Sequence, residues 1–111
     1  DTFPYPGGTT TAEALWMGVP TLTLAWPGML GRQGQSMLEN VGLHEWVARS
    51  EADYVQQAVA WGQGGADVCE QLQDLRRTLR SQAAQSPLFD SPRFARDWWA
   101  ALQGLWREKM A

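Results

Sequence analysis

A turn rich in glycine and threonine near the start of the chain carries residue types that bind phosphate. It runs Pro6-Gly7-Gly8-Thr9-Thr10-Thr11 and leads directly into an apolar stretch that favours helix. A helix N-terminus has unpaired backbone N–H groups and a partial positive charge, so it attracts anions. Glycine lets an anion approach the backbone closely, and threonine hydroxyls add donors. The pattern predicts a phosphate site over Gly7, Gly8, Thr9, Thr10 and Thr11.

A carboxylate, Glu13, follows within the predicted helix. Such a group can accept hydrogen bonds from ribose hydroxyls, and phosphate plus ribose indicates a nucleotide. A purely structural interpretation explains the same residues: Thr9, Thr10 or Thr11 caps the helix, and the glycines form an ordinary turn. The segment lacks the lysine of a P-loop and the spacing of a dinucleotide-binding turn. From the residues alone, both interpretations stay open.

Composition narrows the classes of function. The chain has 111 residues, of which 44% are hydrophobic, and a net charge of −3, which suits one globular domain and argues against a nucleic-acid surface. Cys69 and His44 are each the only residue of their type, so no intrachain disulfide forms and a zinc site is not expected. We find no signal peptide and no bilayer-spanning apolar run, and we expect a cytoplasmic protein without nucleic-acid or membrane partners.

Tryptophan is unusually frequent for a chain of this length, with seven residues. Their rings can stack on sugars, but packing in a core or an interface is the more common role and is what we expect here. The residues are Trp16, Trp26, Trp46, Trp61, Trp98, Trp99 and Trp106.

Turn residues and hydrophobic periodicity predict few strands and several helices. A helix over Thr11–Met17 is stopped by Gly18, and a strand follows over Thr21–Ala25. Asp1–Tyr5 looks like the end of another strand, parallel to the first. Leu43–Ala48 is ambiguous between a helical turn and a strand. Further helices are predicted over Gly31–Asn40, after an N-cap at Ser50, over Ala66–Gln85, and over Pro92–Lys109 behind a Ser91 cap.

So few strands do not make a sheet, and we therefore expect the C-terminal part of a larger α/β domain. Within it, residues 1–50 form the nucleotide-binding strand–turn–helix–strand region, and residues 51–111 form C-terminal helices.

An ordered set of short motifs resembles the C-terminal end of the catalytic region of the O-linked N-acetylglucosamine transferases. This family includes bacterial homologues and the plant SPINDLY proteins, and its members often carry tetratricopeptide repeats. The resemblance covers nearly the whole chain. Its anchors are Asp1-Thr2-Phe3-Pro4-Tyr5, Gly7-Gly8-Thr9-Thr10-Thr11, Glu13-Ala14-Leu15-Trp16-Met17-Gly18-Val19-Pro20, Arg32, Ser36, Val41-Gly42-Leu43, Ala48-Arg49-Ser50, Tyr54 and Ser86-Pro87-Leu88-Phe89.

The resemblance implies a two-lobed GT-B enzyme whose Rossmann-like C-terminal lobe binds a UDP-sugar. This chain would be the C-terminal portion of that lobe, mostly helical with one or two parallel strands. Gly8, Thr9 and Thr10 fall at the family's diphosphate-binding positions, and Glu13 falls at the acid that holds the uridine ribose. The family needs no metal at the diphosphate and no cofactor. The implied reaction transfers N-acetylglucosamine from UDP to Ser or Thr of an acceptor protein or peptide.

The chain departs from the family pattern in ways that limit what it can do alone. Pro6 stands where many relatives have Asn, and Gly8 stands where some have His. Loss of that His removes a possible hydrogen-bond donor to the diphosphate, which puts the affinity for the sugar donor and the identity of that donor in doubt. The family's diphosphate-binding lysine has no counterpart, since Lys109 is the only lysine and lies near the C-terminus. We therefore expect a fragment that contains no catalytic residue and is inactive by itself.

Two alternatives remain. The chain could be a non-catalytic helical packing module that forms homo-oligomers through exposed apolar surface. It could also belong to another GT-B enzyme, such as a sugar-nucleotide epimerase or a lipid-sugar transferase, because a shared fold does not fix the chemistry.

Overall fold

The computed structural model describes all residues, Asp1–Ala111, and is 71% helical. Two 3₁₀ turns, His44–Trp46 and Pro87–Phe89, precede the second strand and the last helix. In chain order the helices and strands are α1 (Thr9–Trp16), β1 (Thr23–Leu24), α2 (Gly28–Gly31), α3 (Gln33–Val41), β2 (Val47–Ala48), α4 (Glu51–Gln63), α5 (Ala66–Ala84) and α6 (Ser91–Met110).

The sheet consists of β1 and β2 alone, paired in parallel with Thr23 opposite Val47. The prediction that Asp1–Tyr5 supplies a strand is wrong, because that segment forms none. Pro4 within the segment and Pro6 directly after it have no N–H to donate to a ladder. The ambiguous segment Leu43–Ala48 supplies the second strand instead. The predicted fold class, mostly helical with two parallel strands, is confirmed.

The hydrophobic core joins α1, α3, β2 and α5 around side chains that are at most 5% exposed. Leu15 of α1 and Leu79 of α5 are fully buried, and α1 packs mainly on α5. Gly18 ends α1 at φ +73°, and a Cβ there would lie 3.4 Å from the Arg76 carbonyl oxygen. Close packing of its C-terminal end on α5 therefore fixes α1. The core residues are Leu15, Leu38, Val41, Leu43, Trp46, Val47, Leu79 and Ala83.

Several predicted helix ends are confirmed and two are wrong. Ser50 caps α4 by accepting a hydrogen bond from the Asp53 amide at 3.1 Å, as predicted. The cap of α6 is Asp90 rather than Ser91, because the Asp90 carboxylate accepts from the Arg93 amide at 2.9 Å. The single helix predicted over Gly31–Asn40 is two helices, α2 and α3, which break at Arg32.

The tryptophans divide between the core and the surface. Trp46 is buried, and its ring stacks on Trp61 with centroids 4.5 Å apart, as expected for packing residues. The three tryptophans of α6 are 57–66% exposed, so they do not lie in the core. No side chain of α6 is buried. None of the helices is both long enough and apolar enough to span a bilayer.

Candidate functional site

The N-terminus of α1 has no side-chain cap. Gly8 occupies the N-cap position, and the first hydrogen bond of the helix runs from the Ala12 amide to the Gly8 carbonyl at 3.0 Å. The interpretation in which a threonine caps this helix is therefore wrong. The amides of Gly8, Thr9, Thr10 and Thr11 precede that bond and donate to no group of the chain. These donors are the kind that an anion binds.

An open cleft of about 440 Å³ lies at this helix end, and we call it the polar cleft. Four of the five predicted phosphate residues line it: Gly7, Gly8, Thr9 and Thr10. The side chain of the fifth, Thr11, is buried, and only its backbone amide belongs to the helix end. No side chain that lines the cleft is charged. Its lining residues are Thr2, Tyr5, Pro6, Gly7, Gly8, Thr9, Thr10 and Gln33.

Glu13 is exposed and lines a second groove of about 450 Å³, which we call the Glu13 groove. Apart from Thr9, its other lining residues are apolar, and the ring centroids of Trp16 and Phe89 lie 5.1 Å apart. Thr9 lines both the polar cleft and the Glu13 groove. Residues four apart lie on one face of a helix, and this places the Thr9 and Glu13 side chains one above the other. The predicted phosphate and ribose residues thus meet at Thr9.

Gly7 differs from the other glycine of the turn because its amide already has a partner. It donates to Asp1 Oδ1 at 2.8 Å. The other carboxylate oxygen, Oδ2, accepts from the buried Thr23 hydroxyl of β1 at 2.9 Å. Sequence reasoning gave Asp1 no role, although it belongs to a motif that carries the family resemblance. No spacing rule shows that a carboxylate six positions earlier will bind the turn.

Gln33, the first residue of α3, is a further residue that sequence reasoning missed. A Cβ built at Gly8 would lie 2.7 Å from Gln33 Nε2, so the glutamine amide covers the place that a side chain at position 8 would occupy. Its amide adds a neutral donor to the polar cleft. Gln33 lies on another helix, so a local pattern around the turn does not reveal it.

The remaining polar residues lie elsewhere. Arg32 lines a separate groove of about 920 Å³ over α2 and α3, and its Nε donates to the Gly28 carbonyl at 3.2 Å. On α4, hydrogen bonds from the Arg49 amide and the Gln57 side chain lower the pKa of Asp53. No three His, Cys, Asp or Glu side chains are grouped so as to hold a metal ion.

Comparison with known proteins settles the family. The sequence model of "Glycosyl transferase family 41" matches residues 1–98. The chain belongs to glycosyl transferase family 41. The resemblance to the O-linked N-acetylglucosamine transferases and SPINDLY proteins is thereby confirmed.

Individual family 41 members agree along most of the chain. A rice (Oryza sativa subsp. japonica) protein named "Probable UDP-N-acetylglucosamine--peptide N-acetylglucosaminyltransferase SPINDLY" is 45% identical over 107 residues, which is 96% of this chain and 11% of that protein. A Caenorhabditis elegans "UDP-N-acetylglucosamine--peptide N-acetylglucosaminyltransferase" is 29% identical over 101 residues, 91% of this chain and 8% of its own length.

A solved structure shares the fold. A mutant of the O-GlcNAc transferase of Thermobaculum terrenum superimposes with a TM-score of 0.73 at 37% identity. The alignment covers 97% of this chain and 20% of that one. The chain therefore has the fold of part of a GT-B enzyme, and it spans about a tenth of the length of the curated relatives it matches.

Proposed function

We propose that this chain is the sugar-nucleotide-binding part of a glycosyltransferase that moves N-acetylglucosamine from UDP to Ser or Thr of a protein or peptide. The observation that carries the proposal is the junction at Thr9, where a cleft of unpaired amides meets a groove that holds a carboxylate. The unpaired amides can donate to a diphosphate, and the carboxylate can accept hydrogen bonds from the hydroxyls of a ribose. Family membership and the names of the relatives support the reaction class.

The proposed role of each residue follows from which of its hydrogen-bonding groups has no partner within the chain. The unpaired amides of Gly8, Thr9 and Thr10 and the two exposed threonine hydroxyls bind the diphosphate, and Glu13 accepts from the ribose hydroxyls. Gly7 shapes the turn, and Thr11 contributes its amide. Negative charge grows on the departing UDP as the sugar bond breaks, and fixed neutral donors stabilise it there. We propose that the site works without a metal or another cofactor.

We further propose a division within the chain. Residues 1–50 carry the nucleotide contacts, and residues 51–111 are helices that support them. Catalytic and acceptor-binding residues belong to other parts of the enzyme, since the chain matches about 11% of a full-length relative. The 111-residue chain alone is then inactive. We place the enzyme in the cytoplasm.

Replacing Glu13 tests the proposal directly. In the enzyme that carries this chain, Glu13→Ala is expected to weaken UDP binding by about 1–3 kcal/mol, because a charge-assisted hydrogen bond to ribose is lost. Isothermal calorimetry measures the affinity. Glu70→Ala, which removes an exposed carboxylate of α5, is the matched control and should bind UDP normally. Equal UDP affinity in the Glu13→Ala and Glu70→Ala variants would remove Glu13 from the site.

Two added arms separate the reaction class and the donor. All proposed contacts go to phosphate and ribose, which every nucleoside diphosphate shares, so GDP and ADP are titrated beside UDP. Each titration is repeated with EDTA to test whether binding depends on a metal. Transfer of labelled sugar to a peptide supports the glycosyltransferase, whereas isomerised free UDP-sugar indicates an epimerase. Loss of UDP binding in EDTA would contradict metal-independent binding.

A second candidate function is supported by α6. Its large apolar side chains are exposed, with Trp98 at 57%, Leu105 at 62% and Trp106 at 66%. We propose that the isolated 111-residue chain self-associates through this face, because water disfavours contiguous apolar surface. Sedimentation equilibrium is expected to show dimers or larger species that dissociate in the Trp98→Gln/Trp106→Gln variant. A monomer at all concentrations would contradict self-association.

A further inference from the structure

Asp1 is the residue at which the glycine turn, β1 and α4 converge. Its Oδ1 accepts from the amides of Gly7 at 2.8 Å and Thr2 at 2.9 Å. Its Oδ2 accepts from the Thr23 hydroxyl at 2.9 Å. Three donors thus fix the plane of one carboxylate directly behind the turn that forms the polar cleft.

The backbone of Asp1 is held independently of the turn. The Tyr54 hydroxyl of α4 donates to the Asp1 carbonyl at 2.8 Å, and the Asp1 backbone nitrogen donates to the Leu22 carbonyl at 3.0 Å. The carboxylate is therefore attached to the sheet and to α4, and it transmits their position to Gly7.

The fold leaves room for this arrangement at Gly34 of α3. A Cβ at Gly34 would lie 2.8 Å from Asp1 Oδ2 and closer still to the Thr23 hydroxyl oxygen. Thr23 is fully buried, so its hydroxyl cannot move far. The pair of Asp1 and Thr23 therefore occupies the space that a larger residue at position 34 would need.

The negative charge of the Asp1 carboxylate affects how tightly the neighbouring turn can bind an anion. A negative charge behind a diphosphate site repels the ligand, so Asp1 lowers donor affinity unless its geometric effect is larger. By taking the Gly7 amide, it fixes the Pro6–Gly7 peptide, directly before Gly8. The amides of Gly8, Thr9 and Thr10 stay unpaired. We propose that Asp1, held by Thr23, is a positioning residue that orients these amides toward the donor diphosphate. This inference rests on the proposed function.

The test uses the enzyme that carries this chain. It measures two constants, the inhibition constant of UDP and the KM for the sugar donor. Asp1→Ala is expected to raise both by about tenfold, the effect of losing one hydrogen bond to a charged group. Asp1→Asn keeps an oxygen that accepts from Gly7 and is expected to stay within about threefold. Thr23→Val, which removes the hydroxyl donor to Oδ2, is expected to raise both constants by about threefold, and Thr23→Ser to restore them.

Thr78→Val is the matched control. The Thr78 hydroxyl bonds only to carbonyls of its own helix, α5, and is exposed, so both constants should stay at their normal values. The KM for the acceptor is expected to stay constant in every variant. Thermal unfolding of each variant separates positioning from a merely structural role, which would lower Tm and leave UDP inhibition unchanged.

The outcomes distinguish this inference from the proposed function. An unmodified enzyme that binds no nucleoside diphosphate overturns the proposed function, and the role of Asp1 falls with it. If the unmodified enzyme binds UDP and the Asp1→Ala and Thr23→Val variants bind it equally or more tightly, only the positioning role is overturned. If Asp1→Ala does not fold, the more conservative Thr23→Val decides.

Discussion

Helices α1 and α4 each have a hydroxyl residue at or directly after the N-cap position, yet their N-terminal ends differ in how they are capped. At α4, Ser50 accepts from the Asp53 amide at 3.1 Å, and Asp53 in turn accepts from the Arg49 amide at 2.8 Å. At α1, three consecutive threonines are available, yet no side chain caps the helix. The N-terminal end of α4 is capped by its own residues, and the N-terminal end of α1 is left open to solvent in the polar cleft.

The difference shows where the chain gives up local stability. A serine or threonine cap contributes roughly 0.5–2 kcal/mol, so an uncapped helix end needs support from elsewhere. For α1 this comes from Leu15 packed against α5 and from the Asp1 carboxylate behind the turn. A helix end that is held by distant contacts keeps its amides free for a ligand.

Exchanging the cap residues should separate stability from binding. Ser50→Ala is expected to lower the free energy of unfolding by about 1 kcal/mol, because the Asp53 amide loses its acceptor, and to leave UDP affinity unchanged. Thr9→Ala is expected to change stability by less than about 0.5 kcal/mol, since its exposed hydroxyl makes no bond within the chain. Under the proposed function it weakens UDP binding by about 1 kcal/mol.

Urea unfolding and UDP calorimetry on the same two variants measure this contrast. Thr9→Ala and Ser50→Ala each serve as the control for the other. A destabilised Thr9→Ala variant with unaltered UDP affinity would mean that the threonine is a structural residue and that the two helix ends do not differ in function.

Sequence reasoning predicted what is local and missed what is distant. The Ser50 cap, the stop at Gly18 and the α5 helix follow from neighbouring residues and are confirmed. The predicted partner strand of β1, Asp1–Tyr5, was wrong because strand pairing depends on tertiary contacts, which the sequence of a two-residue strand hardly encodes. Asp1 and Gln33 were missed for the same reason, since each reaches the turn through space.

The exposed face of α6 is another case in which the sequence predicts the helix and does not predict its tertiary contacts. Hydrophobic periodicity over Pro92–Lys109 predicted the helix correctly, but amphipathic periodicity does not say which surface the apolar face contacts. Within this chain it contacts no core, and its side chains remain exposed.

The smallest expected effect concerns pH and the capped end of α4. The Arg49 amide and the Gln57 side chain hold the pKa of Asp53 below its usual value. A lowered pKa in the folded state stabilises the protein above the unfolded value of about 3.9, and this contribution is lost as the pH falls through the folded pKa. Asp53→Asn should therefore lower Tm at pH 7 and have less effect at pH 3, with Glu51→Gln as a control on the same helix turn. If the Tm difference persists at acid pH, the Asp53 charge is not what stabilises this end. The contrast with α1 would then rest on Ser50 alone.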